Sequence, residues 1–337
     1  MSDEQSTRGE LPLMDYDPRS HLVTPDRTPE RARFPVIDFH THGRGHDPAD
    51  LVRAMDAVGV ERVVDMGVGT GERFDTAYER YVKPYPDRFI LFAAFDWDEL
   101  LQHDDFGERA ADALRRCVEK GARGVKFFKN VGLTARFPDG ELLRIDDERL
   151  NPIIATAGEL DIPVCFHTAD PPSFHQPYDR HNERYIALTT HPTWHFYGPD
   201  FPDRDEILEQ RNRVIERFPD VTFIGAHLAA HGLDLPRLAE LLDRFPNFYV
   251  DTSARIRELG LQPYTARRFC VQYADRILFG TDGPTEVDKV RLFLRFFETE
   301  DEHIPFQKLD HMCGLFLPDD VLEKVYRLNA MKLLKLG

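Results

Sequence analysis

The chain has 337 residues, of which 42% are hydrophobic and 30% are charged, and its formal net charge is −16. This length suits a single α/β barrel with insertions, and the apolar content is sufficient for a large core. A surface this acidic repels phosphate groups. Nucleic acid and anionic membranes are therefore not expected as partners.

The sequence predicts a cytoplasmic protein. It has no run of about eighteen apolar residues that would span a bilayer, and its N-terminal segment lacks the apolar stretch of a secretory signal. Cys117, Cys165, Cys270 and Cys313 are far apart and form no CxxC pair. This spacing is typical of reduced, mostly buried thiols rather than of a disulfide framework.

From Phe34 onward, short β-branched or aromatic segments alternate with longer amphipathic stretches. Residues 1–33 are polar and contain proline, and we interpret them as an extended N-terminal arm that precedes a barrel domain over 34–337. The predicted strands are 35–40, 62–68, 88–95, 123–129, 162–167, 221–227, 247–253 and 276–282. The stretches between them have apolar residues at helical spacing, and several end in Gly or Pro.

This alternation predicts an α/β fold, a closed (β/α)8 TIM barrel. An open doubly wound sheet is the alternative, but its first strand normally leads into GxGxxG, whereas HTHGRGHDP follows here. Two regions exceed a minimal barrel. One is a long loop after the fifth strand, 168–202, and the other is the C-terminal region 301–337, predicted to end in a helix on the outside of the barrel.

Histidine or aspartate lies at the predicted carboxyl end of four strands. His40 and His42 end the first strand and share one face of it, because side chains alternate along a strand. His167, His227 and Asp282 end the fifth, sixth and eighth strands. Each residue alone is usually an ordinary strand-end side chain. Together they predict a site, because the carboxyl ends of barrel strands form the catalytic face.

Imidazole and carboxylate groups in this number are typical of a divalent-metal site. They suit Zn2+, with Mn2+ as an alternative, and a catalytic site keeps one coordination position for water. A bound metal lowers the pKa of that water and polarises a substrate carbonyl. Asp282 is suited to take the proton from the water, so the sequence predicts a catalytic role for it.

The segments VIDFHTH, VCFHTADP, FIGAHLA and RILFGTD resemble strand-end motifs of the amidohydrolase superfamily. The resemblance is to the amidohydrolase-2 group, which is related to aminocarboxymuconate semialdehyde decarboxylase, and it spans residues 34–335. It implies a barrel that binds one divalent ion, usually zinc. It further implies a catalytic base or electrophile, His227, and a set of metal ligands, His40, His42, His167 and Asp282.

Lys126 in the fourth strand raises the question of whether the site binds one metal ion or two. GVKFF is similar to the segment of binuclear amidohydrolases in which a carbamylated lysine bridges two metals, and His227 would then bind the second one. Otherwise the lysine is an ordinary cation that pairs with a carboxylate or binds an anionic substrate. We predict this ordinary role and a single metal.

Three residues outside the strands are candidates for substrate binding. Arg255, just past the seventh strand, either grips a substrate carboxylate with two hydrogen bonds or is a solvated loop residue. Trp194 and His195 either form walls of a substrate site or pack within a surface loop. Asp38, on the face of His40, either orients that imidazole or makes hydrogen bonds within the barrel.

These features favour a hydrolase that cleaves a C–N or C–O bond of an amide, lactone or ester through metal-activated water. The alternative is a non-oxidative, metal-dependent decarboxylase of an aromatic or muconate-like acid, which the resemblance supports. A barrel with a purely structural metal is disfavoured, because structural zinc sites are closed and usually rich in thiolates. The expected partner is a small anionic substrate, and a homodimer stays open because barrels of this type commonly pair.

Overall fold

The computed structural model describes residues 11–306 and 310–336. Its centre is an eight-stranded parallel sheet in which each strand pairs with the next one along the chain. The strands are β1 (Val36–Thr41), β2 (Val60–Met66), β3 (Phe89–Ala94), β4 (Val125–Phe127), β5 (Val164–Phe166), β6 (Phe223–Gly225), β7 (Phe248–Asp251) and β8 (Ile277–Leu278). All eight predicted strands are therefore confirmed, and most of the later ones are shorter than predicted.

The sheet closes through the segment that follows β8. The Asp282 amide donates to the His40 carbonyl at 2.8 Å, and the His42 amide donates to the Gly283 carbonyl at 3.1 Å. Thr41 and Gly283 also pair as an isolated parallel bridge. These bonds join the end of the chain's last strand to its first, which confirms the predicted (β/α)8 barrel.

Helices follow the strands and surround the barrel. They are α1 (Pro48–Val58), α2 (Glu72–Ala77), α3 (Trp97–Leu100), α4 (Phe106–Lys120), α5 (Asn151–Glu159), α6 (Tyr185–Thr190), α7 (Arg204–Arg217), α8 (Leu235–Arg244), α9 (Ile256–Gly260), α10 (Pro263–Gln272), α11 (Val287–Glu298), α12 (Asp319–Glu323) and α13 (Asn329–Leu334). Two π-helical turns, Tyr78–Val82 and Lys324–Leu328, continue α2 and join α12 to α13. In the described part of the chain, no helix is long and apolar enough to cross a membrane.

Helix α4 shows why the helices pack on the sheet. Its buried residues Phe106, Ala110, Leu114 and Cys117 recur every three or four positions, which places them on one face of the helix. That face joins strand residues such as Val125 in one large apolar cluster. This cluster forms the layer between the barrel and its helices.

The inside of the barrel is a separate apolar cluster. It contains strand residues such as Ile37, Val64 and Leu278, and α13 contributes Ala330 and Leu334 to it. The C-terminal helix therefore seals the barrel interior instead of adding a further layer outside it.

Asn329 fixes the position of this seal. Its Nδ2 donates to the carbonyls of Ala274 and Ile277 at 2.7 and 2.8 Å, and these two residues lie at the amino end of β8. The predicted C-terminal helix lies outside the barrel in its first part, since Val321, Leu322, Val325 and Tyr326 belong to the outer apolar cluster. For α13 the prediction was wrong. At the amino end of the strands, which we call the barrel floor, the apolar side chains of the interior would be exposed to water. The apolar face of α13 covers them.

The described part of the N-terminal arm, residues 11–33, contains one 3-10 turn at Leu13–Asp15. Its later part is tied to the barrel, since Arg27 Nη1 lies 2.9 Å from Asp301 Oδ1. Residues 1–10 of the predicted arm lie outside the described residues.

The long loop after β5 has local structure of its own. It contains α6 and two 3-10 turns, Pro172–His175 and Pro192–Trp194. Tyr178 and Tyr185 stack within it, with ring centroids 4.4 Å apart.

A short antiparallel pair, β9 (Ile304–Pro305) and β10 (His311–Met312), follows α11.

Candidate metal centre

Three side chains at the carboxyl end of the barrel offer ligand atoms within 4.8 Å of one another: His40, His42 and Asp282. Asp282 Oδ1 lies 3.2 Å from His42 Nε2 and 3.6 Å from His40 Nε2. The alternation of side chains along β1 accounts for the two imidazoles. The carboxylate reaches them because Asp282 has a left-handed backbone with φ 65° and its amide bonds the His40 carbonyl.

Asp251 at the end of β7 orients the first of these imidazoles. Its Oδ2 lies 2.8 Å from His40 Nδ1, and both side chains are completely buried. A carboxylate accepts the Nδ1 hydrogen, so the lone pair of His40 stays on Nε2, which is the atom that faces Asp282. The sequence reasoning missed Asp251, although DTS at the end of the seventh strand carries a carboxylate on the same barrel face as the other candidates.

His227 lies beside this pair, and its ring centroid is 4.8 Å from that of His40. Its Nδ1 lies 3.0 Å from the Ser253 carbonyl oxygen and 2.8 Å from Ser253 Oγ. A carbonyl oxygen only accepts hydrogen bonds, so Nδ1 carries the hydrogen and Nε2 is the free nitrogen. His227, His40 and Asp251 form a second group with ligand atoms within 4.8 Å.

The backbone at His227 departs from the predicted strand end. Strand β6 stops at Gly225, and residues 227–230 all have positive φ, at 58°, 55°, 53° and 64°. For residues with a Cβ, this left-handed conformation costs about 1–2 kcal/mol each. Gly225 allows the turn to fold back closely, because a Cβ there would lie 2.5 Å from the Ala229 Cβ. Such strain persists only where surrounding contacts hold it.

His167 lies next to these two groups but belongs to neither among the described residues. Its ring centroid is 4.3 Å from that of His227. Its buried Nε2 lies 3.5 Å from Asp170 Oδ1 and has no hydrogen-bond partner. Burial lowers the pKa of His167 to about 4, so the imidazole is neutral at pH 7. Its predicted role as a ligand stays a prediction.

Asp170 links His167 to a cation that the sequence reasoning did not single out. Lys129 Nζ lies 2.5 Å from Asp170 Oδ2. Burial alone would raise the pKa of Asp170, but the neighbouring His167 and Lys129 hold it well below its ordinary value. The ionised carboxylate balances the lysine charge at this side of the barrel mouth.

Lys126 is completely buried in β4, beside the candidate ligands. Its Nζ lies 3.4 Å from His40 Nε2 and 3.5 Å from Cys165 Sγ. Within residues 11–306 and 310–336 it forms no ion pair with a carboxylate, so the pairing considered from the sequence is absent there. The amine instead lies between His40 and Cys165.

Arg255 is also buried, with 8% of its surface exposed. Its Nη1 donates to the Ala254 carbonyl at 2.8 Å, and in the described ranges its guanidinium has no carboxylate partner. Burial is the main reason that the pKa of His227 lies well below its ordinary value, and the positive charge of Arg255 lowers it further. Arg255 is thus an unpaired charge near His227, not a solvated loop residue.

Trp194 and His195 lie in the long loop, away from these contacts. Trp194 stacks on His191 with centroids 4.0 Å apart, and it lines a cavity of about 720 Å³ between the loop and the N-terminal arm. His195 Nε2 lies 2.8 Å from the Gln176 carbonyl oxygen. Among the described residues, neither makes a hydrogen bond or ring contact with a strand-end histidine.

The Asp38 carboxyl group accepts hydrogen bonds from the backbone of the barrel. Its Oδ1 accepts from the amides of His40 and Thr281 at 3.2 and 3.1 Å, and its Oδ2 accepts from Thr281 Oγ1 at 2.6 Å. Burial raises the pKa of Asp38 to about 7. The carboxyl group therefore joins β1 to the segment after β8 and contacts no ligand imidazole.

The donor set fits a divalent cation. Burial lowers the pKa of His40, which keeps it in the neutral form that binds metals. Burial alone would raise the pKa of Asp282, yet the nearby His227, His42 and His40 hold it well below its ordinary value, so it is an anionic donor. Two imidazoles and a carboxylate leave coordination positions for water or substrate, as catalytic sites do.

A barrel with imidazole and carboxylate donors at its carboxyl end defines a class of metal-dependent enzymes, and comparison with known proteins agrees. The sequence matches the amidohydrolase family over residues 16–336. The chain therefore belongs to the amidohydrolase family.

Solved structures share the fold at low sequence identity. A 2,6-dihydroxybenzoate decarboxylase from Rhizobium is 20% identical, with a TM-score of 0.54, covering 90% of this chain and 99% of that one. A dihydroxybenzoic acid decarboxylase from Polaromonas sp. JS666 with bound manganese is 20% identical, with a TM-score of 0.57, covering 90% and 97%. A 5-carboxyvanillate decarboxylase from Novosphingobium aromaticivorans, also with manganese, is 16% identical, with a TM-score of 0.56, covering 93% and 100%.

Proposed function

We propose that this enzyme is a metal-dependent, non-oxidative decarboxylase of a small aromatic or muconate-like acid. The observation that carries the proposal is Arg255, a buried guanidinium near His227 without a carboxylate partner in the described chain. An unpaired buried charge is unfavourable unless a ligand neutralises it. A substrate carboxylate is the natural counter-ion, and a guanidinium binds it with two parallel hydrogen bonds.

The structural neighbours support this reaction over the hydrolysis that the sequence favoured. The three solved structures described above are decarboxylases of aromatic acids, and two of them contain manganese. We therefore propose Mn2+ or Zn2+ as the cofactor, with His40, His42 and Asp282 as ligands and His167 joining them when the ion is bound. A bound divalent ion would supply positive charge that draws electron density from the substrate.

The protein groups have separate tasks in this proposal. Arg255 orients the acid at the barrel mouth. The bond between the ring carbon and the carboxylate breaks, its electron pair stays on that carbon, and carbon dioxide leaves. The carbon then takes up a proton. Asp282 and His227 are the titratable groups at the mouth that we assign to hold and deliver it.

Hydrolysis of an amide, lactone or ester is the second candidate. The specific observation in its favour is the 3.2 Å approach of Asp282 Oδ1 to His42 Nε2, because a carboxylate beside the ligand imidazoles can take a proton from an attacking water. A bound divalent ion would make that water more acidic. In this reaction Arg255 would bind a carboxylate that does not react.

One experiment separates the two reactions. Metal-free protein is reloaded with Zn2+ or Mn2+ and incubated in D2O with a panel of hydroxybenzoates and muconates, and separately with lactones and amides. Decarboxylation releases carbon dioxide and leaves deuterium on the carbon that lost it. The Asp282→Asn variant should neither release carbon dioxide nor incorporate deuterium into the product. Turnover of lactones or amides, with no carbon dioxide from any acid, would establish the hydrolase instead.

A further inference from the structure

The left-handed turn at residues 227–230 carries His227, and its last two carbonyl groups accept hydrogen bonds from two arginines of α7. Arg211 Nη1 donates to the Ala229 carbonyl at 2.7 Å. Arg204 Nη2 donates to the Ala230 carbonyl, the last in the turn. Both arginines belong to α7, the helix that precedes β6. Their hydrogen bonds therefore join this helix to the turn that follows β6.

Arg211 is unusual for a buried charge. It is 0% exposed, and it is among the largest fully buried side chains of the described protein. Its Nη2 donates to Asn212 Oδ1 at 3.0 Å, and its guanidinium lies 5.4 Å from the centroid of the Phe248 ring. In the described chain it pairs with no carboxylate. Burial therefore lowers the pKa of Arg211 to about 9.

A charge buried without a counter-ion is retained where its hydrogen bonds do something that an apolar side chain cannot. The carbonyls of His227 and Leu228 accept from the amides of Ala230 and His231, whereas the Ala229 carbonyl accepts from Arg211. A buried carbonyl needs such a donor. Asp251 Oδ1 holds the start of the same turn by accepting from the His227 amide at 2.9 Å. Asp251 thus holds the first residue of the turn and Arg211 the third, while Arg204 bonds the last.

We propose that Arg211 is a positioning residue that keeps the His227 imidazole in place by bonding the carbonyl of Ala229, the third residue of the left-handed turn. Among the described residues Arg211 makes no hydrogen bond or ion pair with a candidate ligand or with Arg255, so its effect reaches His227 through the backbone of the turn. Asp251 orients His40 and anchors the first residue of the turn, and Arg211 secures the third. Loss of the guanidinium would release the turn toward ordinary right-handed or extended backbone.

The first test needs no substrate. Hydrogen–deuterium exchange is followed by mass spectrometry on the full chain, as wild type and as Arg211→Met, Arg211→Lys and Arg213→Met. Arg213 is the matched control, because it lies on the same helix and forms exposed ion pairs with Asp146 and Glu206. In Arg211→Met we expect exchange at residues 226–232 to rise by about tenfold or more, while the barrel strands exchange as in the wild type.

The lysine variant keeps one donor and should show an intermediate rise, and the Arg213 variant should show none. Exchange at 226–232 that stays at the wild-type rate in folded Arg211→Met would overturn the proposal. A rise of equal size over all strands would do the same, since that is the result of general destabilisation. If Arg211→Met does not fold, Arg211→Lys and Arg204→Met decide the question by the same measurement.

The kinetic test rests on the proposed function. With an accepted substrate, Arg211→Met should lower kcat by about tenfold or more while KM and metal content stay near the wild-type values. A change in KM alone would contradict the positioning role. If no substrate turns over at all, the proposed function fails, whereas the exchange result still decides the role of Arg211.

Discussion

Asp251 Oδ2 accepts a hydrogen bond from His40 Nδ1 at 2.8 Å, and neither side chain is exposed. Removing one partner of a buried hydrogen bond is costly, because the other loses its bond without the exposure that water would need to replace it. The same carboxylate accepts the His227 amide through its other oxygen. One residue thus fixes a ligand and a proton-carrying group of the proposed site.

Replacing Asp251 by asparagine should therefore weaken metal binding by about 10–100-fold, the usual effect of removing a carboxylate that orients a ligand histidine. The measurement is titration of metal-free protein with Zn2+ or Mn2+. Asp220→Asn, at an exposed position, is the control and should bind metal as the wild type does. Unchanged affinity in Asp251→Asn would mean that His40 is not a ligand.

Arg255→Met should raise KM for an acid substrate by about 10- to 150-fold, because a hydrogen bond to a charged group contributes about 1.5–3 kcal/mol and the replacement has no charge. Steady-state kinetics measures the effect. Binding of the decarboxylated product, which lacks the carboxylate, should change little. Arg268→Met on the exposed side of α10 should leave both unaltered, and an equal loss for acid and product would argue against a carboxylate contact.

Lys126→Met should retain about one divalent ion per chain, since we propose a mononuclear site in which the lysine is not carbamylated. Metal analysis of the purified variant and wild type provides the check, together with the intact mass of the wild type prepared in bicarbonate. About two ions in the wild type that fall to one in the variant would show a carbamylated, bridging Lys126.

Acid should destabilise the protein in part through His231, which is 8% exposed. Burial lowers its pKa to about 3. In the unfolded chain His231 therefore takes up a proton near pH 6.5, whereas in the folded chain it does so only near pH 3. The stability from this residue is present above pH 6.5 and is lost as the pH falls through that window. Between pH 7 and 4.5 the loss is about 2–3 kcal/mol.

Urea unfolding at several pH values tests this contribution. His231→Asn should flatten the fall in unfolding free energy between pH 7 and 4.5, whereas the exposed His21→Asn should not. Parallel curves for the His231 variant and the wild type would count against a neutral, buried imidazole in the native protein.

Leu334→Ala should lower the free energy of unfolding by about 2–5 kcal/mol, because Leu334 is 4% exposed and fills the floor of the barrel. Denaturant unfolding of the folded variant provides the measurement. Leu328→Ala, at a position that is 40% exposed, should cost far less. Similar losses for the two variants would mean that α13 does not form part of the core.

The strands were predictable because buried parallel strands are short runs of β-branched and aromatic residues, and their number followed from counting. The first-strand pair His40 and His42 was predictable from the alternation of side chains. The conformation at His227 was not, since nothing in FIGAHLA signals a left-handed turn made of residues with a Cβ. Asp251 was missed because its role depends on a contact with His40 over a separation of 211 residues.

The helix on the barrel floor was mispredicted for a similar reason. The apolar spacing of its residues shows that one face is buried, but spacing does not tell which cluster receives that face. Only the assembled barrel shows that its interior is open at the amino end and that Ala330 and Leu334 fill it.

The same cluster has a consequence for folding during synthesis, because its members are far apart in the sequence. Strand β1 leaves the ribosome among the first segments, yet the cluster it belongs to is finished only when α13 has been made. Contacts across so much of the sequence form slowly. Until then the inner faces of the strands are open to other chains, and chaperone binding should persist until synthesis passes residue 334.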